Sequence, residues 1–137
     1  MRKPAPSWSD AAALAFANEF DPATVTTVCS ILGNRRRQLA VLYLLTCDTD
    51  EWVSLANLAR WITAVTTDSS LDAATGSDYH NIKESLRHTH LPTLADAGAI
   101  TYDADRTRLT PSDTLPFLGR LLFHLLIVST ATDKDMT

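Results

Sequence analysis

Residues 79–110 read YHNIKESLRHTHLPTLADAGAITYDADRTRLT, and two patterns follow one another in them. At about 100° per residue, Tyr79, Ile82, Leu86, His90, Leu94 and Ala97 share one face of a helix, while His80, Asn81, Glu84 and His88 share the other. One face is suited to docking and the other to solvent or a partner. Gly98 ends the helix, because it takes the left-handed conformation of a helix end without a Cβ clash. Beyond it, Ile100 and Tyr102 alternate with polar neighbours, Asp103 to Arg106 is turn-like, and Thr107 to Thr110 can return as a second strand. A helix running into a small hairpin that bears Arg106 and Arg108 has the layout of a recognition helix and wing. The expected fold class is therefore mainly α with a small β-hairpin wing: a winged helix-turn-helix with an added N-terminal helix and a C-terminal dimerisation helix. Pro92 lies inside the predicted helix and removes the hydrogen bond to the His88 carbonyl, so a kink is expected there.

Working back from this unit, Ser54 caps a helix in which Leu55, Leu58, Ala59, Ile62 and Val65 keep helical period, with Trp52-Val53 ahead of it as a short strand. Thr66 to Ser77 is a longer connection than the tight turn of the simplest helix-turn-helix. Asn34 to Cys47 is the most apolar helix of the front half and is expected to be a buried spine. Arg35, Arg36 and Arg37 sit in its first turn, where the helix dipole disfavours cations, so a carboxylate or a phosphate is expected to compensate. Asp21-Pro22 starts the preceding helix, in which Val25, Val28, Cys29 and Leu32 recur at helical spacing and which Gly33 ends. Ser9 to Phe20 reads as a first helix with a modest apolar side. The opening Arg2-Lys3 and the Ala-rich run superficially resemble a signal peptide, but the run is short and preceded by Asp10.

Going forward, Pro111, Ser112 and Asp113 mark the start of a last helix that is apolar over more than half its circumference. Such width is expected to serve a dimer through Leu115, Leu118, Leu121, Leu122, Leu125 and Val128. As a helix, Leu115 to Val128 would span roughly 21 Å against about 30 Å of hydrocarbon, and it carries Arg120 and His124, so no membrane partner is expected. The plan is a flexible 1–8, a winged-helix domain with its N-terminal extension over 9–110, a dimerisation helix over 111–130, and a tail over 131–137.

Composition narrows the function classes. The 137 residues suffice for one core, and a net charge of −4 with 45% hydrophobic residues argues against coating nucleic acid through bulk charge. Any DNA contact must be local. Thirteen of the sixteen acids are Asp and nine of the twelve bases are Arg, a bias similar to that of proteins from salt-loving archaea. Cys29 and Cys47 both lie in apolar helical patterns, where a free thiol acts as a small buried hydrophobe, and the expected cytoplasmic setting disfavours a disulfide.

Gly33-Asn34-Arg35-Arg36-Arg37, Ser54-Leu55-x-x-Leu58-Ala59 and His88-x-His90-Leu91-Pro92-x-Leu94-x-x-Ala97-Gly98-x-Ile100-x-Tyr102-Asp103 together resemble a winged-helix domain family widespread in haloarchaea, and more distantly the ArsR and MarR regulators. The resemblance spans roughly Val25 to Thr110, and its most specific part is the His-x-His-Leu-Pro-x-Leu block. It implies a three-helix core plus wing, a DNA-binding transcriptional regulator, and often a homodimer.

On the residues themselves, double-stranded DNA would be read by the exposed face of Asp78 to His88. Asn81 could pair with adenine and Arg87 with guanine or phosphate, while Lys83 and His80 approach phosphates. His88 lies on the same face. Glu84 is unfavourable near phosphate, so it must accept from cytosine or turn away. Arg106 and Arg108 are expected to point the same way from the wing to phosphate or a minor groove. Two other readings stand beside this one. In the first, the domain is a protein interaction module that binds a partner through its last helix. In the second, it is an ArsR-like sensor of a metal or ligand effector using His80, His88, His90 and a cysteine; His88 and His90, about 200° apart on the wheel, cannot easily share one ion, and His90 reads better as a hydrogen-bonded core residue. No cofactor and no enzymatic activity are expected, since no nucleophile and base fall at a defined spacing and no glycine-rich phosphate loop is present.

Overall fold

The computed structural model describes residues 22–48 and 50–136. Seven helical segments and three short strands follow in the order α1 (Pro22–Leu32), α2 (Arg35–Leu44), β1 (Val53–Ser54), α3 (Leu55–Thr67), α4 (Ser77–Ser85), a π-helical turn (Leu86–His90), α5 (Leu91–Asp96), β2 (Ile100–Asp103), β3 (Arg108–Pro111) and α6 (Leu115–Met136). This is a mainly α fold with a small β wing. The expected Ser9 to Phe20 helix and the flexible 1–8 lie outside the described residues.

Local chemistry sets the boundaries. The Asn34 side chain accepts from the Arg37 amide and Ser54 Oγ from the Asn57 amide, so each satisfies a donor that the first turn leaves unpaired. Gly98 closes α5 at φ +79. A Cβ there would meet no atom within 4 Å, so the glycine is required by backbone conformation and not by space. Gly98→Ala is expected to cost about 1 kcal/mol in urea unfolding, the penalty of a left-handed L-residue. A cost near zero would mean that the turn re-forms another way.

The sheet is antiparallel with order β1-β3-β2. Its register places Val53, Leu109 and Tyr102 in one row and Ser54, Arg108 and Asp103 in the next, so apolar and polar residues fall on opposite faces. Leu109 and Val53 thereby join the core, which is built from Leu39, Val41 and Leu44 of α2, Leu55, Leu58 and Ile62 of α3, Ile82 of α4, and Leu86, Leu91 and Leu94 around the π-turn.

Several expectations are corrected here. Pro92 does not simply kink one helix. The chain widens into a π-turn in which the Leu91 amide donates to the Leu86 carbonyl, and Pro92 falls at the start of α5, where its missing N–H is tolerated. The five-residue step puts Leu86 and Leu91 on the same buried side. α2 ends at Leu44 and not at Cys47, and Leu45 is exposed. Leu115, Leu118 and Leu122, expected at a dimer interface, are buried in the chain's own core, because this face of α6 covers α2 and α1; Leu121 is half-buried beside them. α6 continues through Met136, so most of the expected tail is helix. Both cysteines are free, but Cys29 is exposed and not a buried hydrophobe. Among the described residues no helix is long and apolar enough to cross a membrane.

Candidate nucleic-acid interface

α4 is anchored by Ile82 and by Leu86 of the π-turn, and this docking leaves His80, Asn81 and Glu84 of α4 and Arg87 and His88 of the π-turn exposed. Gly76 takes φ +85 just ahead of the helix, and Asp78 in the first turn complements the dipole. Lys83 is half-buried with its ammonium 5.8 Å from the centroid of the Tyr79 ring, and His80 meets that ring edge-on at 5.3 Å. The face is therefore ordered by one aromatic side chain. Asn81 has no side-chain partner among the described residues and offers a full amide to a ligand.

Glu84 is tied down where it stands. Its carboxylate lies 2.9 Å from His88 Nε2 and 3.5 Å from Arg87 Nη1, one turn further along the helix. Pairs this exposed contribute little to stability, but they keep a carboxylate between Arg87 and His88. Arg87 can reach a phosphate only by leaving Glu84 or by carrying it along.

The wing differs from expectation in the same sense. Arg108 stands opposite Asp103 in the β2–β3 register, its Nε 3.6 Å from that carboxylate, with its guanidinium 4.2 Å from the centroid of the Trp52 ring. It is held by a cation–π contact and an ion pair, and its buried Nε has no hydrogen-bond partner. Arg106, in the turn, reaches the same Asp103 at 4.0 Å but is largely exposed. The two arginines therefore do not project together: Arg106 remains available at the wing tip and Arg108 is folded onto the sheet. Tyr102, on the opposite face of β2, buries a hydroxyl without a partner, and desolvation raises its pKa while the Arg87 charge pulls the other way.

A second polar cluster lies behind the π-turn. His90 is buried, and its Nδ1 accepts from Arg37 Nη1 at 3.1 Å, since a guanidinium can only donate. Arg37 also donates through Nε to the Ile31 carbonyl at 3.2 Å and through Nη2 to the Ser30 carbonyl at 2.7 Å, and Gln38 donates to the Leu32 carbonyl at 2.6 Å. The expected carboxylate or phosphate beside the arginine run is replaced, for Arg37, by the carbonyl end of α1, which is the negative pole of that helix. Burial first, then the Arg37 and Arg36 charges, push the His90 pKa from 6.5 down to about 4.

His88 and His90 face different environments, and among the described residues no three His, Cys, Asp or Glu side chains group as a metal site would need. Sequence reasoning missed Trp52 as the platform for Arg108; its signal was the alternation that places it on the same side of β1 as Ser54. It also missed Arg60, which shares a polar pocket of about 240 Å³ with Tyr43, Asn57, Trp61, Leu71 and Asp72.

Compared with known proteins, residues 29–110, more than half of the chain, match a family described as a domain of unknown function, DUF7344. No curated protein and no solved structure matches.

Proposed function

The chain belongs to the DUF7344 family, and on that premise we propose that it is a cytoplasmic DNA-binding transcriptional regulator which reads double-stranded DNA as a homodimer. The matched stretch, 29–110, runs from the end of α1 through β3 and leaves out α6, so the shared unit is the helices and the wing. The observation that carries the reading is the exposed polar side of α4 and the π-turn, ahead of α5 and that wing, where His80, Asn81, Arg87 and His88 stand clear of the core. In winged helices the N-terminal half of this element enters the major groove and the wing lies along the backbone. The likeness to haloarchaeal winged-helix proteins and to the ArsR and MarR regulators belongs to the same proposal.

On this reading Asn81 reads a base, Lys83, Arg87 and Arg106 contact phosphates, and Glu84 limits the charge that the face offers. Arg108 acts by holding the wing. Three such phosphate contacts per copy give six for a dimer, so log affinity should fall with log salt at a slope of about −5. In fluorescence-polarisation titrations with DNA from upstream of its own gene, Asn81→Ala is expected to weaken the preferred sequence about tenfold and random DNA hardly at all. Lys83→Glu with Arg87→Glu is expected to weaken both by about a hundredfold. Equal affinity for every duplex, or none, would sink the assignment.

The pairing of Arg87 and His88 with Glu84, with the net charge of −4, favours a second reading in which the domain is a protein interaction module. Binding to no duplex at all would bring that reading forward.

A further inference from the structure

α1 and α6 flank a groove of about 450 Å³ that the described residues leave open, and His124 is the one polar side chain among those that line it. On the α6 wall Leu121, His124, Leu125 and Val128 recur at i, i+3, i+4 and i+7. The α1 wall has the same spacing, with Val28, Cys29 and Leu32 in the groove and Val25 extending the stripe toward the start of the helix. Leu125 is 55% exposed, Val128 61% and Val25 43%, and Cys29 is exposed as well. Two apolar stripes of helical period on either side of an open slot form a seat for a third stripe of that period.

The chain carries such a stripe immediately upstream. In residues 9–20, Ala13, Phe16, Ala17 and Phe20 recur at i, i+3, i+4 and i+7, and Asp21 alone separates that stretch from Pro22, the first residue of α1. Reach agrees. Cys29 lies about 10 Å along α1 from Pro22, and a helical return over the same length brings Ala13 and Phe16 alongside Val28 and Cys29, with Ala17 and Phe20 nearer Val25. Small and large residues alternate in the upstream stripe, so the alanines allow a close approach while the rings fill the slot.

We propose that residues 9–20 occupy the groove between α1 and α6 as a helix, with Phe16 and Phe20 set among Val25, Val28, Leu125 and Val128. A second copy of the chain is a poorer occupant. A two-fold contact would set groove against groove, and two hollows facing each other fill neither. A segment joined to α1 by one residue also binds at the high effective concentration of a short tether, whereas a second copy bears the cost of association. Leu121, Leu125 and Val128, expected to face a dimer partner, then face the chain's own segment, and a homodimer must use another surface. α6 and most of α1 fall outside the 29–110 family match, so this layer is an addition to the shared unit and the DNA reading does not depend on it.

Thiol labelling of the full, reduced chain with N-ethylmaleimide, read site by site by mass spectrometry, tests this. Cys47, beyond the end of α2 and outside the groove, is the internal reference. Cys29 is expected to react about tenfold more slowly in the native protein than in the denatured chain. Phe16→Asp and Val128→Asp should each speed its labelling about fivefold, while Ala15→Asp, on the opposite side of the helical wheel, should leave it within about twofold. Cys47 should not change in any variant. Far-UV circular dichroism checks that each variant keeps its body, and where Phe16→Asp does not, Phe16→Ala serves, with an expected gain of about twofold to threefold. Labelling of wild-type Cys29 at the denatured rate overturns the proposal, as does equal acceleration by Ala15→Asp and Phe16→Asp. Acceleration by Val128→Asp but not by Phe16→Asp, or protection of Cys29 that fades on dilution, also overturns it, the last by showing a second copy in the groove.

Discussion

Leu91→Ala is expected to destabilise the domain by about 3 kcal/mol and Leu86→Ala by a similar amount, each a large share of the roughly 5–15 kcal/mol that holds a domain of this size together. Both side chains are fully buried, and each would leave a void that the surroundings fill only partly. The π-turn makes them a pair. An ordinary α-turn would separate residues five apart by about 140° around the axis, whereas the wider turn, closed by the Leu91 amide on the Leu86 carbonyl, brings both onto α2 and α3. Their voids are therefore contiguous, and the double variant should lose less than the sum of the two single losses. Chemical denaturation at fixed pH reads all three. A loss under 1 kcal/mol for Leu91→Ala would show that the turn relaxes into a regular helix and rebuilds the core. Because α4 is positioned by the same turn, either variant should also weaken any ligand of the Asn81 face, in proportion to the fraction unfolded.

Much of the architecture is legible in the chain. The wing follows from Gly98, the alternation of Ile100 and Tyr102 and the turn residues after Asp103, all of which act within a few residues of themselves. The caps at Asn34 and Ser54 are equally local. The π-turn is not legible, because Leu86, His90, Leu91 and Leu94 fit a regular helix as well as a widened one, and only the body they dock against decides between them. Nor are the partners of the cations. Arg37 is satisfied by carbonyls, which every residue carries, and Arg108 by Trp52, more than fifty residues away, where alternation gives the side of the strand but not its partner. The last helix shows the limit from the other side. Its sequence gives the width of the apolar surface but not which part the chain covers itself, and the leucines nearest its start, which looked suited to a partner, are the ones its own core takes.

Acidification should loosen the junction between α1, α2 and the π-turn through His90. Its folded pKa, about 4, lies below the 6.5 of the free side chain, so the unfolded chain takes up the proton first. The neutral ring's contribution is then fully present above pH 6.5 and is lost as pH falls toward 4, by at most on the order of 3 kcal/mol. The geometry gives the reason. Protonation would place a second N–H on Nδ1, facing the Arg37 guanidinium that now donates to it, and would add a charge in a buried site. Arg37 cannot turn away freely, since the same guanidinium holds the Ser30 and Ile31 carbonyls at the end of α1. Wild type and His90→Gln should therefore diverge in urea midpoints between pH 7 and 4.5, the wild type falling more steeply, while the carboxylates common to both cancel in the difference. Arg37→Ala removes the donor and one of the charges that depress the His90 pKa, so it should raise that pKa and thereby reduce the loss of stability on acidification, while costing about 2 kcal/mol at neutral pH by leaving a buried ring nitrogen and α1 carbonyls unpaired. Parallel pH profiles for wild type and His90→Gln would show that the ring is not held neutral by this contact.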